Sequence, residues 1–168
     1  MAGFRLPFLQ GNTVKRLFFI LFFLAFNASA SEFCFKDAGD KYHIDPLLLR
    51  SIAEVESGLN PAAINLNKKN GKITSTDYGV MQINSAHLGR LKNFGISKND
   101  LLKKPCLNIH VGAWILAHDI AQGGVSWNSI GAYNAGFSGK GEVWRVNYAH
   151  KVYHHYKTLL LNERGIDL

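Results

Sequence analysis

Two carboxylates in different local settings are the residues most able to do chemistry together. Glu56 lies in Glu54-Val55-Glu56-Ser57-Gly58-Leu59-Asn60-Pro61, and Asp77 lies in Ser75-Thr76-Asp77-Tyr78-Gly79-Val80-Met81-Gln82-Ile83-Asn84-Ser85. Breaking the acetal between two sugars takes one carboxylic acid to protonate the leaving oxygen and a second group to stabilise the positive charge growing on the ring carbon. A glutamic acid placed against apolar neighbours pays a desolvation penalty when it ionises, so it keeps its proton near neutral pH and suits the first task. Glu54, two residues earlier, is turned to another side of the same helix and reads as a solvated or structural acid. Asp77 has two open readings: a cleft residue facing Glu56, or the cap of a turn in a polar hairpin.

The elements that must position these groups are legible from punctuation and period. Asp45-Pro46 is a helix start, with Asp as N-cap and Pro in the first helical position. Leu48, Leu49, Ile52 and Val55 follow at helical spacing, and Gly58 and Pro61 stop the helix just after Glu56. A short helix is expected over residues 33–42. Residues 65–76 are rich in Asn, Lys, Gly, Ser and Thr and predict a small irregular hairpin, with the segment 78–83 after it. Further helices are expected over 85–92, 99–102, 108–122, 126–135 and 142–161, with Gly123-Gly124 as a stop and 136–141 as a loop. The chain reads as one mostly helical domain with one small β region.

Residues 1–30 read separately. Lys15 and Arg16 precede an apolar run from Leu17 to Phe26, and Ala28-Ser29-Ala30 offers a small-x-small cleavage site, so a secretory signal peptide is expected over 1–30 and the mature domain over 31–168. The run is shorter than the ~20 residues a bilayer span needs, so no stable membrane insertion is expected after cleavage. The long stretch before Lys15 points to a natural start near Val14. The expected compartment is the periplasm. The net charge is +7, and losing Arg5, Lys15 and Arg16 leaves the chain basic, which suits an anionic polymer and equally serves solubility. Export and the lack of a dense Lys/Arg block exclude nucleic acid.

There are two cysteines, Cys34 and Cys106. An exported chain with an even count predicts one disulfide between them. No zinc motif is present, the 65–76 segment lacks the acidic ladder of a calcium loop, and His150 and His154, four apart on the last helix, have no acidic partner nearby in sequence, so neither metal nor cofactor is expected. Trp114, Trp127 and Trp144 can stack on sugars but serve more commonly as packing, and none is assigned to a cleft.

Three phrases, Glu56-Ser57-Gly58-Leu59-Asn60-Pro61, Gly79-Val80-Met81-Gln82-Ile83 and Ala132-Tyr133-Asn134-Ala135-Gly136, occur in an order that resembles the soluble lytic transglycosylases of the lysozyme-like superfamily. The resemblance covers about Cys34 to Tyr156. It is nearest to the small transglycosylases that accompany type III secretion systems, with conjugation and pilus relatives close by. It implies a mainly α, lysozyme-like α+β fold: a helical domain with one small β-hairpin region and a cleft for the glycan strands of peptidoglycan. It also implies that Glu56 acts as acid and then base, so that the muramoyl 6-hydroxyl attacks its own anomeric carbon and leaves a 1,6-anhydromuramoyl end. Ser57, Met81, Gln82, Tyr133 and Asn134 are the implied substrate-binding residues, with the Tyr133 hydroxyl helping to hold the acid. The plainer roles of Ser57 as a helix-end hydrogen bonder, Met81 as core and Tyr133 as packing stay open.

The strand around Asp77 resembles the one that carries the second catalytic carboxylate of animal c-type lysozymes, which implies a hybrid site. A hydrolytic muramidase using Glu56 and Asp77 is therefore the second reading, and a noncatalytic glycan-binding assembly protein the third. The implied partners of the chain, expected to be a monomer, are peptidoglycan glycan strands and a component of a secretion, pilus or conjugation apparatus.

Overall fold

The computed structural model describes residues 34–168. The expected signal peptide lies outside the described residues. Among the described residues seven α-helices and a three-stranded antiparallel sheet follow in the order α1 Phe35–Tyr42, α2 Pro46–Ser57, β1 Ile64–Lys69, β2 Lys72–Tyr78, β3 Ile83–Asn84, α3 Leu88–Lys92, α4 Lys98–Lys103, α5 Pro105–Gly123, α6 Trp127–Ala135 and α7 Glu142–Arg164. Single 3-10 turns precede α3 and α7. This is the helix-rich lysozyme-like architecture, with the small sheet, that the sequence predicts.

The local signals act as their chemistry requires. The Asp45 carboxylate accepts from the Leu47 amide over 2.8 Å, capping α2, and Pro46 occupies the first turn. The same carboxylate takes two guanidinium hydrogens of Arg164, at 2.6 and 2.8 Å, and the Tyr156 hydroxyl at 3.0 Å, so the cap also fastens the start of α2 to the end of α7. Gly58, at φ 60°, closes α2 in the left-handed conformation and turns the chain immediately after Glu56. Asn70 and Gly71, at φ 52° and 76°, form the two-residue turn between β1 and β2, both central residues having the positive φ that a hairpin turn of matching twist needs.

The core is built mainly from α1, α2 and α5, with Leu49, Ile52, Met81, Ile83, Leu101, Ile109, Leu116 and Val152 fully enclosed. The long helix α5 runs through it, and α7 lies across α2 and α6. The α6 and α7 backbones come so close that a Cβ at Gly131 would fall 2.4 Å from the Arg145 carbonyl oxygen. Arg145 is nearly buried and satisfies that junction by donating to Asn128 Oδ1 and to the carbonyls of Gly136 and Ser138. Cys34 and Cys106 form a disulfide that joins the start of α1 to the first turn of α5.

Glu54, expected to be a solvated or structural acid, is tied into side-chain contacts. It accepts from Arg50 Nε at 3.0 Å and lies 3.1 Å from His155 Nδ1 on α7, and shares no hydrogen-bond partner with Glu56 among the described residues. Among the described residues no group of three or more His, Cys, Asp or Glu side chains is arranged to hold a metal ion, and no helix is long and apolar enough to cross a membrane.

Candidate active site

Glu56 occupies the last turn of α2. Its surroundings drive its carboxyl pKa up from the ordinary value to about 7, chiefly because burial removes water from the charged form; the Tyr148 hydroxyl opposes this by hydrogen bonding, and the negative charge of Asp77 adds to it. Tyr148 is nearly buried on α7 and donates its phenolic hydrogen to Glu56 Oε1 over 2.6 Å. A carboxyl group held near pH 7 can both give and take a proton at physiological pH, the property a single acid/base residue needs.

Asp77 is held by three asparagine side chains. Its Oδ2 accepts from Asn67 at 2.7 Å and from Asn65 at 3.2 Å, and its Oδ1 accepts from Asn84 at 2.6 Å. The register explains how they meet: Asn65 pairs with Asp77 across β1 and β2, and Asp77 pairs with Asn84 across β2 and β3. Ser75, two residues before Asp77 and so on the same face, bonds to Asn67 and Asn84. One face of the little sheet is thus a network of amides aimed at one carboxylate, and that carboxylate's field reaches Glu56.

The turn at 79–82 links the sheet to the core. Gly79 and Gln82 adopt φ 76° and 47°. Asn108, fully buried on α5, accepts from the Met81 amide at 2.8 Å and donates to the carbonyls of Tyr78 and Leu101 at 2.8 and 3.0 Å, pinning the turn from inside. Ser57 donates to the Val80 carbonyl at 2.7 Å, tying the residue beside Glu56 to the same turn. Gln82 directs its amide hydrogens at the carbonyls of Gly79 (2.8 Å) and Ala63 (3.3 Å).

Two expectations from sequence are corrected here. The Met81 side chain does not line a cleft: it is fully enclosed against Gly112, where a Cβ would fall 2.8 Å from it. The absent side chain at Gly112 is the vacancy that admits the methionine. Nor does Tyr133 hold the acid. Its hydroxyl donates to the Met81 carbonyl at 2.8 Å, and the tyrosine that grips Glu56 is Tyr148, which sequence reasoning missed. Tyr133 remains a near neighbour, since the charges of Glu56, Asp119 and Asp77 add to burial in raising its pKa well above the ordinary value. Asn134, one residue on, is exposed.

Asp119 on α5 is a further acid that sequence reasoning did not single out. Burial pushes its pKa up to about 6, against the opposing charge of His118. It lines a recess of about 270 Å³ with His87, Arg90, His118 and Gln122.

A helical domain with a small antiparallel sheet, a half-buried glutamic acid at a helix end and a second carboxylate on the neighbouring strand make up a lysozyme-like framework. The family model for the Transglycosylase SLT domain matches residues 33–156, and the chain belongs to that family. It is similar to a "Peptidoglycan-binding-like protein" of Escherichia coli O157:H7, with 40% identity over 92% of this chain and 93% of that protein. It is 42% identical to "Invasion protein IagB" of Salmonella typhi over 83% of this chain and 84% of that one, and 42% identical to "Protein IpgF" of Shigella flexneri over 73% and 78%.

Proposed function

We propose that this chain is a peptidoglycan lytic transglycosylase that cleaves the β-1,4 bond between N-acetylmuramic acid and N-acetylglucosamine and leaves a 1,6-anhydromuramoyl end. The observation that carries the reading is Glu56: a carboxyl group at about pH 7, aimed by the Tyr148 hydroxyl, within the field of Asp77. Protonated Glu56 gives its hydrogen to the glycosidic oxygen, and the bond from that oxygen to the muramoyl anomeric carbon breaks. The leaving sugar departs with a free 4-hydroxyl. Glu56, now a carboxylate, takes the hydrogen of the muramoyl 6-hydroxyl as O6 bonds to the anomeric carbon, which restores the acid and consumes no water. Asp77 faces the positive charge that develops between these events. Ser57 and Gln82 hold the turn at 79–82 in place beside Glu56, while Tyr133 supports it through the Met81 carbonyl and Asn134 faces the glycan.

Hydrolysis is the second reading, favoured by one observation. Asp77 is fixed by three amides, as a carboxylate with a defined part in the reaction would be. In that case Asp77 serves as nucleophile or ion-pair partner, and water resolves the intermediate. Mass spectrometry of fragments released from purified peptidoglycan separates the two: anhydromuramoyl ends support the transglycosylase, and reducing ends one water heavier support the muramidase. Undiminished wall lysis by Glu56→Gln would overturn both, and a wild-type protein that binds sacculi without cutting them would leave a noncatalytic glycan-binding protein.

The proposed setting is the periplasm, reached through a cleaved signal peptide over residues 1–30, where the enzyme opens the wall locally for an envelope-spanning apparatus. The relatives named for peptidoglycan binding and for invasion support this setting. Capture of the exported protein with its neighbours tests it, and recovery of no secretion, conjugation or pilus component would count against it.

A further inference from the structure

The hairpin of β1 and β2 has two unlike faces. One gathers Asn65, Asn67, Ser75 and Asp77 into the amide network, and alternation along β1 sends Ile64 and Leu66 to the other. The pairing then slips: Asn67 lies opposite Ser75 but Lys68 lies opposite Ile73, so β2 carries one extra residue, Thr74, at that point. The slip takes Ile73 off the amide face and sets it against Lys68, which stands two places after Leu66. Ile64, Leu66 and Ile73 thus share the face turned away from Asp77, where they are 56%, 46% and 57% exposed. Lys68, Lys69 and Lys72 are exposed around the turn at the tip, and none of the ion pairs among the described residues involves them. No acidic residue occurs between Glu56 and Asp77. The base of the hairpin is fixed, the Gly79 amide donating to the Ala63 carbonyl at 2.8 Å, whereas β1 beyond it packs chiefly on β2.

We propose that this face of the hairpin docks reversibly on an anionic phospholipid surface, with the aliphatic side chains entering between the headgroups and the lysines meeting lipid phosphates. Charge complementarity selects the occupant, since the tip offers three ammonium groups and no carboxylate. A partner strand fits poorly. β1 is an edge of the sheet, and a bulge with lysines beside it is the means by which such an edge avoids pairing with another chain. A soluble polyanion would engage the lysines and leave Ile64, Leu66 and Ile73 in water. An anionic bilayer engages both sets, because a lysine stem lies along apolar surface while its ammonium group stays at headgroup level. The attachment is peripheral, through a hairpin and not through a spanning helix, and it is independent of the glycan chemistry proposed above. Because the amide network lies on the opposite face, a docked hairpin keeps Asp77 turned away from the lipid.

The test is co-sedimentation of the mature chain, residues 31–168, with two kinds of vesicle: phosphatidylcholine alone, and an equal mixture of phosphatidylcholine and phosphatidylglycerol. The protein is expected to bind the mixed vesicles at least about tenfold more strongly than the neutral ones. Replacing Lys68, Lys69 and Lys72 together with Gln is expected to lower the partition onto mixed vesicles about 30- to 100-fold, roughly three- to fivefold for each lysine. Leu66→Thr with Ile73→Thr keeps every charge and keeps residues suited to a strand, and is expected to lower it about tenfold. Lys92, Lys98 and Lys103, exposed on another part of the molecule, are the charge-matched control, and their replacement with Gln is expected to cost less than about threefold. Unchanged circular dichroism and melting temperature verify that each variant is folded. A wild-type chain that stays in solution with the mixed vesicles overturns the proposal. So does a Leu66→Thr, Ile73→Thr protein that binds like its parent, which would leave a polyanion site, and so does equal loss in the two lysine triples, which would leave only the net charge of the chain. The vesicles hold no glycan, so these outcomes stand apart from whether the chain cuts peptidoglycan.

Discussion

Tyr148 Oη donates to Glu56 Oε1 across 2.6 Å, although the two residues stand 92 positions apart in the chain. The bond joins the end of α2 to the face of α7 and sets one side of a balance. Burial favours the protonated acid, Asp77 favours it further, and Tyr148 pulls the other way by stabilising the carboxylate, with the result near pH 7. The capacity to act in turn as acid and base comes from that opposition.

Removing the Tyr148 hydroxyl should therefore do two things at once. Tyr148→Phe deprives the carboxylate of its donor, so Glu56 ionises at a higher pH and the alkaline limb of the pH–rate profile moves up. It also frees the carboxyl group to turn away from the glycosidic oxygen, and kcat should fall about 10- to 100-fold, the worth of one hydrogen bond to a charged group. A limb that stays in place would mean that Tyr148 packs against Glu56 without tuning it.

Asp77→Asn should move the same limb the opposite way. The substitution removes the negative charge that helps keep Glu56 protonated, so Glu56 ionises at a lower pH and activity is lost earlier as pH rises. If Asp77 also faces the developing positive charge, kcat falls about 100-fold or more at every pH. A full pH–rate profile of the variant reads both effects separately, since one shifts the curve and the other scales it.

How much of this could be read from residues alone differs from element to element. Helix α2 and the placement of Glu56 at its end followed from Asp45, Pro46, Gly58 and the apolar period between them, because caps and stops act within a few residues. Asn70-Gly71 likewise lies in the turn-rich segment that predicted a hairpin. Tyr148 could not be read in that way: its partner is set by how α7 crosses α2, and the only local hint is that it shares a helical stripe with Val152. The amides around Asp77 were half legible. Asn65 and Asn67 show the period of a strand face, but which residue they oppose depends on register, and β1 carries an irregularity between Asn67 and Lys68. Met81 misled because its neighbours are polar and glycine-rich, while the residue that buries it, Gly112, lies on another element.

The raised pKa of Glu56 has a consequence for folding. An acid whose pKa is higher in the folded state binds its proton more tightly there, so the stability it contributes is full below the unfolded value of 4.5 and is lost as pH rises through about 7. Glu56→Gln keeps an acceptor for Tyr148 and carries no charge to bury. Its melting temperature should match wild type near pH 4 and exceed it at pH 8, by about 1–3 kcal/mol in stability. Equal melting temperatures at pH 8 would show that Glu56 is well solvated when ionised.

The turn beside the acid should tolerate nothing larger than glycine at position 79. A Cβ there would fall 2.4 Å from Asn108 Nδ2 and 2.6 Å from the Leu101 carbonyl oxygen, and the backbone sits at φ 76°. Gly79→Ala should cost about 3–5 kcal/mol, since it adds left-handed strain and displaces a buried amide that makes three hydrogen bonds. Gly89→Ala is the matched control: it lies in α3, meets nothing within 4 Å, and should be neutral or slightly stabilising. Urea denaturation of the two variants checks the contrast.

The disulfide and the active site should prove separable. Cys34 and Cys106 are 72 residues apart in sequence, and opening so long a loop in the unfolded chain should cost about 4 kcal/mol of stability. The bond ties α1 to the start of α5, whereas Glu56 is fixed by α2, α7 and the turn at 79–82, and Asn108 reaches that turn from the second turn of α5 through hydrogen bonds of its own. Replacing both cysteines with serine should therefore lower the melting temperature strongly while leaving kcat, measured well below that melting point, within about twofold of wild type. A large loss of kcat in a variant that is still folded would mean that the cross-link also sets the register of α5 against the turn, and through it the position of the acid.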